Sequence, residues 1–305
     1  MPECHWYGKA ENAGMMEEIR FHPKIMMGRE RFISNMMNQN MDIREIQRVA
    51  LGIYKETVKV CSKHGWKLFV TGGSALGAVR HQGFIPWDDD MDMALPREQF
   101  ELFVAHANEE LPKYIRVKAN KGVIGYRIVD TRYEIQLDDF FADVQLKEGE
   151  QGYVFVDIQA FDGVPENALR RFLHSIRVFG WRICFRLCDT EKLHTAKWRS
   201  KTANLLISLV KKCSIRLKNP EKYMQRHMKA MMAYSYENSS YIADYYGKYR
   251  FRDIYPKAWW EPGKLVKFED TKVRIPSEYD KYLTRIYGNY MVMPDEKERV
   301  VHRME

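Results

Sequence analysis

The residues best placed to do chemistry lie between Thr71 and Met93. A Gly72-Gly73-Ser74 turn is followed at short range by four aspartates, Asp88, Asp89, Asp90 and Asp92. On a strand running from Asp90 to Leu95, Asp90 and Asp92 would point to one face and Met91 and Met93 into the core, because strand side chains alternate. Two carboxylates side by side repel. A hard divalent cation such as Mg²⁺ relieves that repulsion, and it commonly binds through one or two carboxylates plus substrate phosphates. A strand, a Gly-Gly-Ser turn and a helix in succession also place backbone N–H groups beside a hydroxyl, which makes a phosphate-sized anion site. Together these features point to phosphoryl-type transfer, where positioning and charge neutralisation do most of the work. The competing reading, an acidic surface turn, sits poorly with a frame of Pro86-Trp87 and alternating apolar residues.

A third carboxylate should come from a later strand. Asp157 lies inside the apolar run Val154-Phe155-Val156-Asp157-Ile158, and a lone carboxylate there is costly to bury unless paired or metal-bound. It could hold metal, take a proton from an attacking hydroxyl, or do both; a structural Asp bonded to backbone is the alternative. Asp162, just before Gly163, reads as a turn residue.

The elements that must position these groups follow from pattern. Ile43, Ile46, Ala50, Ile53, Thr57, Val60 and Cys61 have helical spacing, which predicts a helix over 42–64 ended by Gly65. Strands are expected at 66–71, 90–95, 115–119, 123–129, 133–137 and 153–159, with a turn at 149–152. Ser74 should cap a short helix to Arg80, and Pro96 should open a helix to Glu110. A hairpin around Asp270-Thr271 and a helix from Ser277 to Tyr287 close the chain. The expected class is α/β (α+β), a mixed sheet core with a largely helical basic region. The expected divisions are an N-terminal arm (1–41), a catalytic core (42–165), a basic helical region (166–240) and a C-terminal α+β region (241–305).

Composition narrows the class. An apolar fraction of 45% and an aromatic fraction of 13% exclude a disordered chain. Five scattered cysteines (Cys4, Cys61, Cys184, Cys188 and Cys213) without a C-x-x-C argue against zinc and for a reduced, cytoplasmic setting. Cys184 and Cys188, four apart, read as helix-face packing. The first residues carry charge throughout, unlike a signal peptide, and no run approaches the ~20 apolar residues of a membrane span. The net charge of +8 is uneven: residues 169–229 hold 16 Lys and Arg against three acids, so that segment carries +13 and the remainder −5. Phe172, Phe179, Trp181, Phe185 and Trp198 interleave with those bases. Either this is a helical hairpin with aromatic core and solvated charge, or it lies peripherally on an anionic membrane, on its inner face. No nucleic-acid motif accompanies the charge.

The block Gly73-Ser74-Ala75-Leu76-Gly77-Ala78-Val79-Arg80-His81, then Gly83-Phe84-Ile85-Pro86-Trp87-Asp88-Asp89-Asp90-Met91-Asp92, resembles the LicD family of phosphotransferases. Val156-Asp157-Ile158 with Phe161-Asp162-Gly163, and later Ile275-Pro276, Tyr282-Leu283, Tyr287-Gly288 and Pro294, look like that family's further blocks. The resemblance, over about 65–304, implies a nucleotidyltransferase-like fold. It also implies Mg²⁺- or Mn²⁺-dependent transfer of phosphocholine from CDP-choline to a hydroxyl of a cell-surface glycan, lipid-linked glycan or teichoic-acid-type precursor, releasing CMP. Fukutin-like relatives use CDP-ribitol, so transfer of ribitol phosphate, or of another nucleotidyl or phospho-substituent, is an alternative on the same fold, as is a non-catalytic membrane-associated scaffold. By carry-over Asp90, Asp92 and Asp157 bind metal, Gly72, Gly73 and Ser74 face the donor phosphates, and Asp88 supports the site. Arg80 and His81 would neutralise the diphosphate or the leaving CMP. A quaternary ammonium needs aromatic faces, and Trp87, Tyr126, Trp259, Trp260 and Tyr290 are the candidates, with Trp87 nearest the aspartates.

Overall fold

A computed structural model describes residues 41–119, 125–135, 152–188, 217–247 and 249–295, with 205, 207–209 and 212 between them. The expected N-terminal arm short of Met41, the turn at 149–152 short of its last residue, and Cys4, Trp198 and Cys213 lie outside the described residues. The order is α1 (Ile43–Lys63), β1 (Phe69–Val70), α2 (Gly72–Arg80), β2 (Asp92–Pro96), α3 (Arg97–Glu110), β3 (Ile115–Ala119), β4 (Tyr126–Ile135), β5 (Gly152–Val164), α4 (Ala168–Arg186), α5 (Pro220–Met231), β6 (Tyr241–Ala243), β7 (Ile254–Pro256), β8 (Lys264–Phe268), β9 (Thr271–Ile275) and α6 (Tyr279–Tyr287). This is an α/β fold. The main sheet runs β1-β2-β5-β4-β3, and β5 continues past it to pair with β6, which pairs with β7. Only β2 and β5 run parallel among these pairs; the others are antiparallel.

α1 forms where periodicity predicts it. The Asp42 side chain accepts from the Glu45 N–H at 2.7 Å, satisfying a helix-start donor, and Gly65 follows the helix at φ +68°, where glycine is unstrained. α1 and α3 touch each other and lie against β4 and β5 (α1) and β2, β3 and β5 (α3). Their shared core includes Ile53, Phe100, Phe103 and Val156, all buried. Met91 and Met93 are fully buried, as alternation requires.

Three local expectations are corrected. The strand at 66–71 shrinks to Phe69–Val70. The strands expected at 123–129 and 133–137 join, over their described residues, as β4, with a register shift between Val129 and Glu134; 123–124 and 136–137 lie outside the described residues. Asp162 and Gly163 form no turn but stay in β5, opposite Ala243 and Ile242. There Arg97 holds Asp162 through two donors, Nε to Oδ1 at 2.7 Å and Nη2 to Oδ2 at 2.8 Å, both side chains buried. Pro96 precedes α3 as its cap residue and ends β2.

Candidate active site

β1 and β2 place the site. The Thr71 N–H donates to the Asp92 carbonyl at 3.0 Å, so the chain leaves β1 and enters α2 directly against the first residue of β2. Asp92 pairs in register with Asp157 on β5. Gly72 has φ +53°, and a Cβ there would come within 3.1 Å of Asp92 Oδ2. At Gly73 a Cβ would sit 2.7 Å from Asp88 Oδ2. The two glycines thus serve to bring backbone against two carboxylates.

The β2 strand begins at Asp92, not Asp90; Asp88, Asp89 and Asp90 form the loop that leads into it. That loop is held from outside. Gln47 of α1, buried, donates to the carbonyls of Ile85 (3.0 Å) and Asp88 (2.7 Å). Glu269 at the β8–β9 tip accepts from the Phe84 N–H at 3.0 Å. Asp89 is fully buried, whereas Asp88 and Asp90 face a cavity of about 470 Å³, of the size that small ligands occupy. Thr71, Gly72, Gly73, Trp87 and Asp92 also line it from this side.

Sequence reasoning assigned the far wall no role, although Tyr282 and Tyr287 fall in the blocks that carry the family resemblance. Gln159, Asp244, Tyr246, Tyr249, Tyr282 and Tyr287 complete the cavity, with Asp253 and Gly247 beside them. Asp244 follows β6 and accepts from the N–H groups of Tyr246 (2.9 Å) and Gly247 (3.0 Å). With its amide nitrogen turned inward, Gln159 donates to both Asp244 oxygens at 2.9 and 2.7 Å. The Tyr282 hydroxyl accepts from the Gly72 N–H at 2.8 Å, so α6 pins the glycine turn. One signal was available: an Asp directly after the apolar triplet Tyr241–Ala243 invites the argument that singled out Asp157.

The other expected residues are distributed as follows. Ser74 is buried, and its hydroxyl accepts from the Asp92 N–H at 3.0 Å, so its side chain positions β2 and does not line the cavity. Arg80 donates to the Tyr290 carbonyl and to His81, both at 3.0 Å. His81 lines a separate cavity with Arg44, Gln82 and Lys267. Neither Arg80 nor His81 is brought to the aspartates. Asp157 is adjacent to Asp92 in the sheet, but Arg127 Nε donates to its carboxylate at 2.9 Å and it does not line the cavity. Of the expected aromatic faces only Trp87 reaches the cavity. Trp260 is core, Tyr126 packs on Phe100, Trp259 lies by Tyr255, and the Tyr290 hydroxyl donates to Asp280 at 2.7 Å.

Among the described residues no Lys or Arg side chain lines the cavity. Burial pushes Asp92 well above the ordinary carboxylate range, and the charges of Asp90, Asp157, Asp88 and Asp244 add to it. Asp244 is raised to about 7, first by burial and then by Asp253, against the lowering effect of its two backbone donors. Burial raises Asp253 to about 6. All-oxygen donors crowded in this way suit a hard divalent cation. Yet among the described residues no three His, Cys, Asp or Glu side chains already converge as a metal-binding group. The donor chemistry therefore fits Mg²⁺ or Mn²⁺ through Asp90 and Asp92 with Asp88 beside them, whereas the expected third ligand, Asp157, is engaged by Arg127.

Residues 65–177 match the LicD/FKTN/FKRP nucleotidyltransferase domain, which spans the glycine turn, the aspartate loop and Asp157. The chain is 25% identical over 273 residues to the lipopolysaccharide cholinephosphotransferase LicD of Haemophilus influenzae, covering 88% of this chain and 98% of that protein. It is 31% identical over 121 residues to an uncharacterized protein of Rickettsia typhi, 37% of this chain and 38% of that one. An uncharacterized protein of Rickettsia prowazekii is 26% identical over 153 residues, 49% and 53% of the two chains. The glycine turn and the aspartate loop that wall one side of the cavity thus lie in a segment similar to the LicD/FKTN/FKRP nucleotidyltransferase domain, and the chain as a whole is similar to a lipopolysaccharide cholinephosphotransferase along nearly the full length of that protein.

Proposed function

We propose that this chain is a phosphotransferase that moves phosphocholine from CDP-choline to a hydroxyl of a cell-surface glycan, with CMP as leaving group. The observation that carries the reading is the single cavity that joins Asp88, Asp90 and Asp92 to the Gly72-Gly73 turn and to aromatic rings. Its similarity to a lipopolysaccharide cholinephosphotransferase across 98% of that protein supplies the head group and the glycan class of acceptor.

Each wall has a task in this reading. A divalent cation, Mg²⁺ or Mn²⁺, held by Asp90 and Asp92 with Asp88 beside them, would neutralise charge on the donor phosphates. Gly72 and Gly73 let the donor approach the backbone. Trp87, Tyr246, Tyr249 and Tyr287 offer ring faces to a quaternary ammonium, which is held by aromatic quadrupoles and not by hydrogen bonds. The acceptor oxygen attacks the phosphorus that bears choline, the bond to CMP breaks, and the hydroxyl proton passes to a carboxylate. Asp244 suits that last role better than Asp157: it lines the cavity, and its pKa of about 7 is near the optimum for a general base. Asp157, beside Asp92 and held by Arg127, acts as a positioning residue.

The test is a panel of CDP-choline, CDP-ribitol and related nucleotides with Mg²⁺ or Mn²⁺, glycan acceptors, and mass detection of the transferred group. CMP release with gain of phosphocholine on the acceptor, abolished in Asp90→Ala and Asp92→Ala, is expected. Transfer of ribitol phosphate instead would overturn the donor assignment. Full activity in Asp92→Ala would overturn the site.

A further inference from the structure

The basic segment takes a specific form in the fold. α4 carries no acidic residue and has two opposed faces. His174, Ser175, Val178 and Phe179 are buried against the rest of the protein, where Ser175 meets the Tyr245 hydroxyl at 3.2 Å and Arg182 donates to the Tyr245 carbonyl at 3.1 Å. On the other side Leu169, Phe172, Leu173, Ile176 and Ile183 are exposed, from 46% for Ile176 to 67% for Leu169. Their spacing keeps them within an arc of roughly 100° at one edge of the helix. Phe251, itself exposed, extends the patch by packing its ring, tilted by 33°, against Phe172 at 5.7 Å between ring centroids. Arg170 and Arg177 are exposed and flank the stripe, while the inward-facing Arg171 stacks on Tyr241. On the neighbouring α5, Lys222, Arg226 and Lys229 are exposed as well.

We infer that this face of α4 is a docking surface for an anionic lipid bilayer, on which the helix lies in the interface plane. The charge selects the occupant. A second copy of the chain meeting this face about a two-fold axis would set its arginines against their equivalents, with no acid on α4 to pair them. A bilayer with anionic headgroups receives the apolar stripe and the flanking guanidinium groups together. No helix among the described residues is long and apolar enough to cross a membrane, so α4 would lie on the bilayer rather than span it. The inference is independent of the transfer reaction, since its readout is binding to lipid.

The test is co-sedimentation of the full chain with phosphatidylcholine vesicles, with and without roughly 30% phosphatidylglycerol. Binding is expected to the anionic vesicles at low ionic strength, to weaken as salt screens the arginines, and to be weak on phosphatidylcholine alone. The double substitution Leu173→Ser with Ile176→Ser should lower vesicle affinity by about tenfold or more while the unfolding temperature stays unchanged. Arg170→Glu with Arg177→Glu, at exposed positions that bear no core packing, should do the same and carries the test if the first variant folds poorly. Absence of binding to anionic vesicles at low ionic strength overturns the inference. So does undiminished binding by both variants, or a dimer in solution that the apolar substitutions split while lipid binding persists.

Discussion

Replacing Gly73 by Ala separates the site from the fold. Gly73 lies in the first turn of α2 without a positive φ, so alanine is compatible with its backbone. Removing glycine flexibility there should leave stability unchanged or raise it by up to ~1 kcal/mol. The new methyl group would lie 2.7 Å from Asp88 Oδ2, and ordinary contact begins near 3.4 Å, so the carboxylate must retreat by several tenths of an ångström. The end of a side chain can do this cheaply, so the fold survives. A displacement approaching 1 Å in a positioning group can reduce turnover by about 10²-fold. The expected outcome is an unfolding temperature equal to or slightly above wild type, with transfer reduced by roughly ten- to a hundredfold. Calorimetry and CMP release measure the two quantities on one preparation. Wild-type transfer in a stable Gly73→Ala protein would refute the reasoning, because Asp88 would then tolerate displacement without consequence.

Three other outcomes follow from the same contacts. Arg97→Ala leaves the buried Asp162 carboxylate without its two-donor partner and should lower the unfolding free energy by about 3–5 kcal/mol, read by urea titration; a loss below about 1 kcal/mol would show the pair to be dispensable. The protein without divalent cation should become less stable as pH rises. Folded Asp244 titrates near 7 against an ordinary 3.8, so the folded state holds the extra proton in between, and that contribution is full below about 4 and lost through about 7. Mg²⁺ should accordingly raise the unfolding temperature more above pH ~7 than below pH ~5, and an equal shift at both would contradict the assignment. Asp92→Asn should abolish transfer yet raise stability in the absence of metal, because it removes a carboxyl group whose ionisation is opposed by burial and by its four acidic neighbours; a destabilised Asp92→Asn would identify the carboxylate as structural.

Legibility in the sequence followed the range of the interactions. α1, β3 and the β8–β9 hairpin depend on local periodicity, capping and turn chemistry, and they form within a residue or two of the predicted limits. The juxtaposition of Asp92 with Asp157 was also accessible, since a lone carboxylate in an apolar strand must meet something. The aspartate loop was read as strand too early because its shape depends on Gln47, some forty residues upstream, and on Glu269 from the far hairpin. Asp162-Gly163 looks locally like a turn, yet the β6 edge and the Arg97 guanidinium hold it extended. Ser74 has the right chemistry for a phosphate, but the nearby Asp92 N–H claims its hydroxyl. Asp244 lay hidden because β6 and β7 span only three residues each, too few for alternation to show.

The distribution of support around the cavity bears on whether the chain is a catalyst or a scaffold. Four acidic neighbours crowd Asp92, and on the far wall burial raises both Asp244 and Asp253, with the Asp253 charge raising Asp244 further. Such repulsion lowers stability and contributes nothing to packing. Yet the surrounding structure holds these groups closely: Ser74 on the Asp92 amide, Gln159 on Asp244, Tyr282 on the Gly72 amide and Gln47 beneath the Asp88 carbonyl. These four anchors come from α2, β5, α6 and α1, so most of the fold converges on groups that destabilise it. Strain of this kind persists where the environment over-determines it, and the physical inference runs from that strain to function. A scaffold would hold together better with Asn or Leu at the same positions. A transferase would need the carboxylates crowded, because a divalent cation would bind to the charge that the fold concentrates there and would in turn hold the phosphates of a donor.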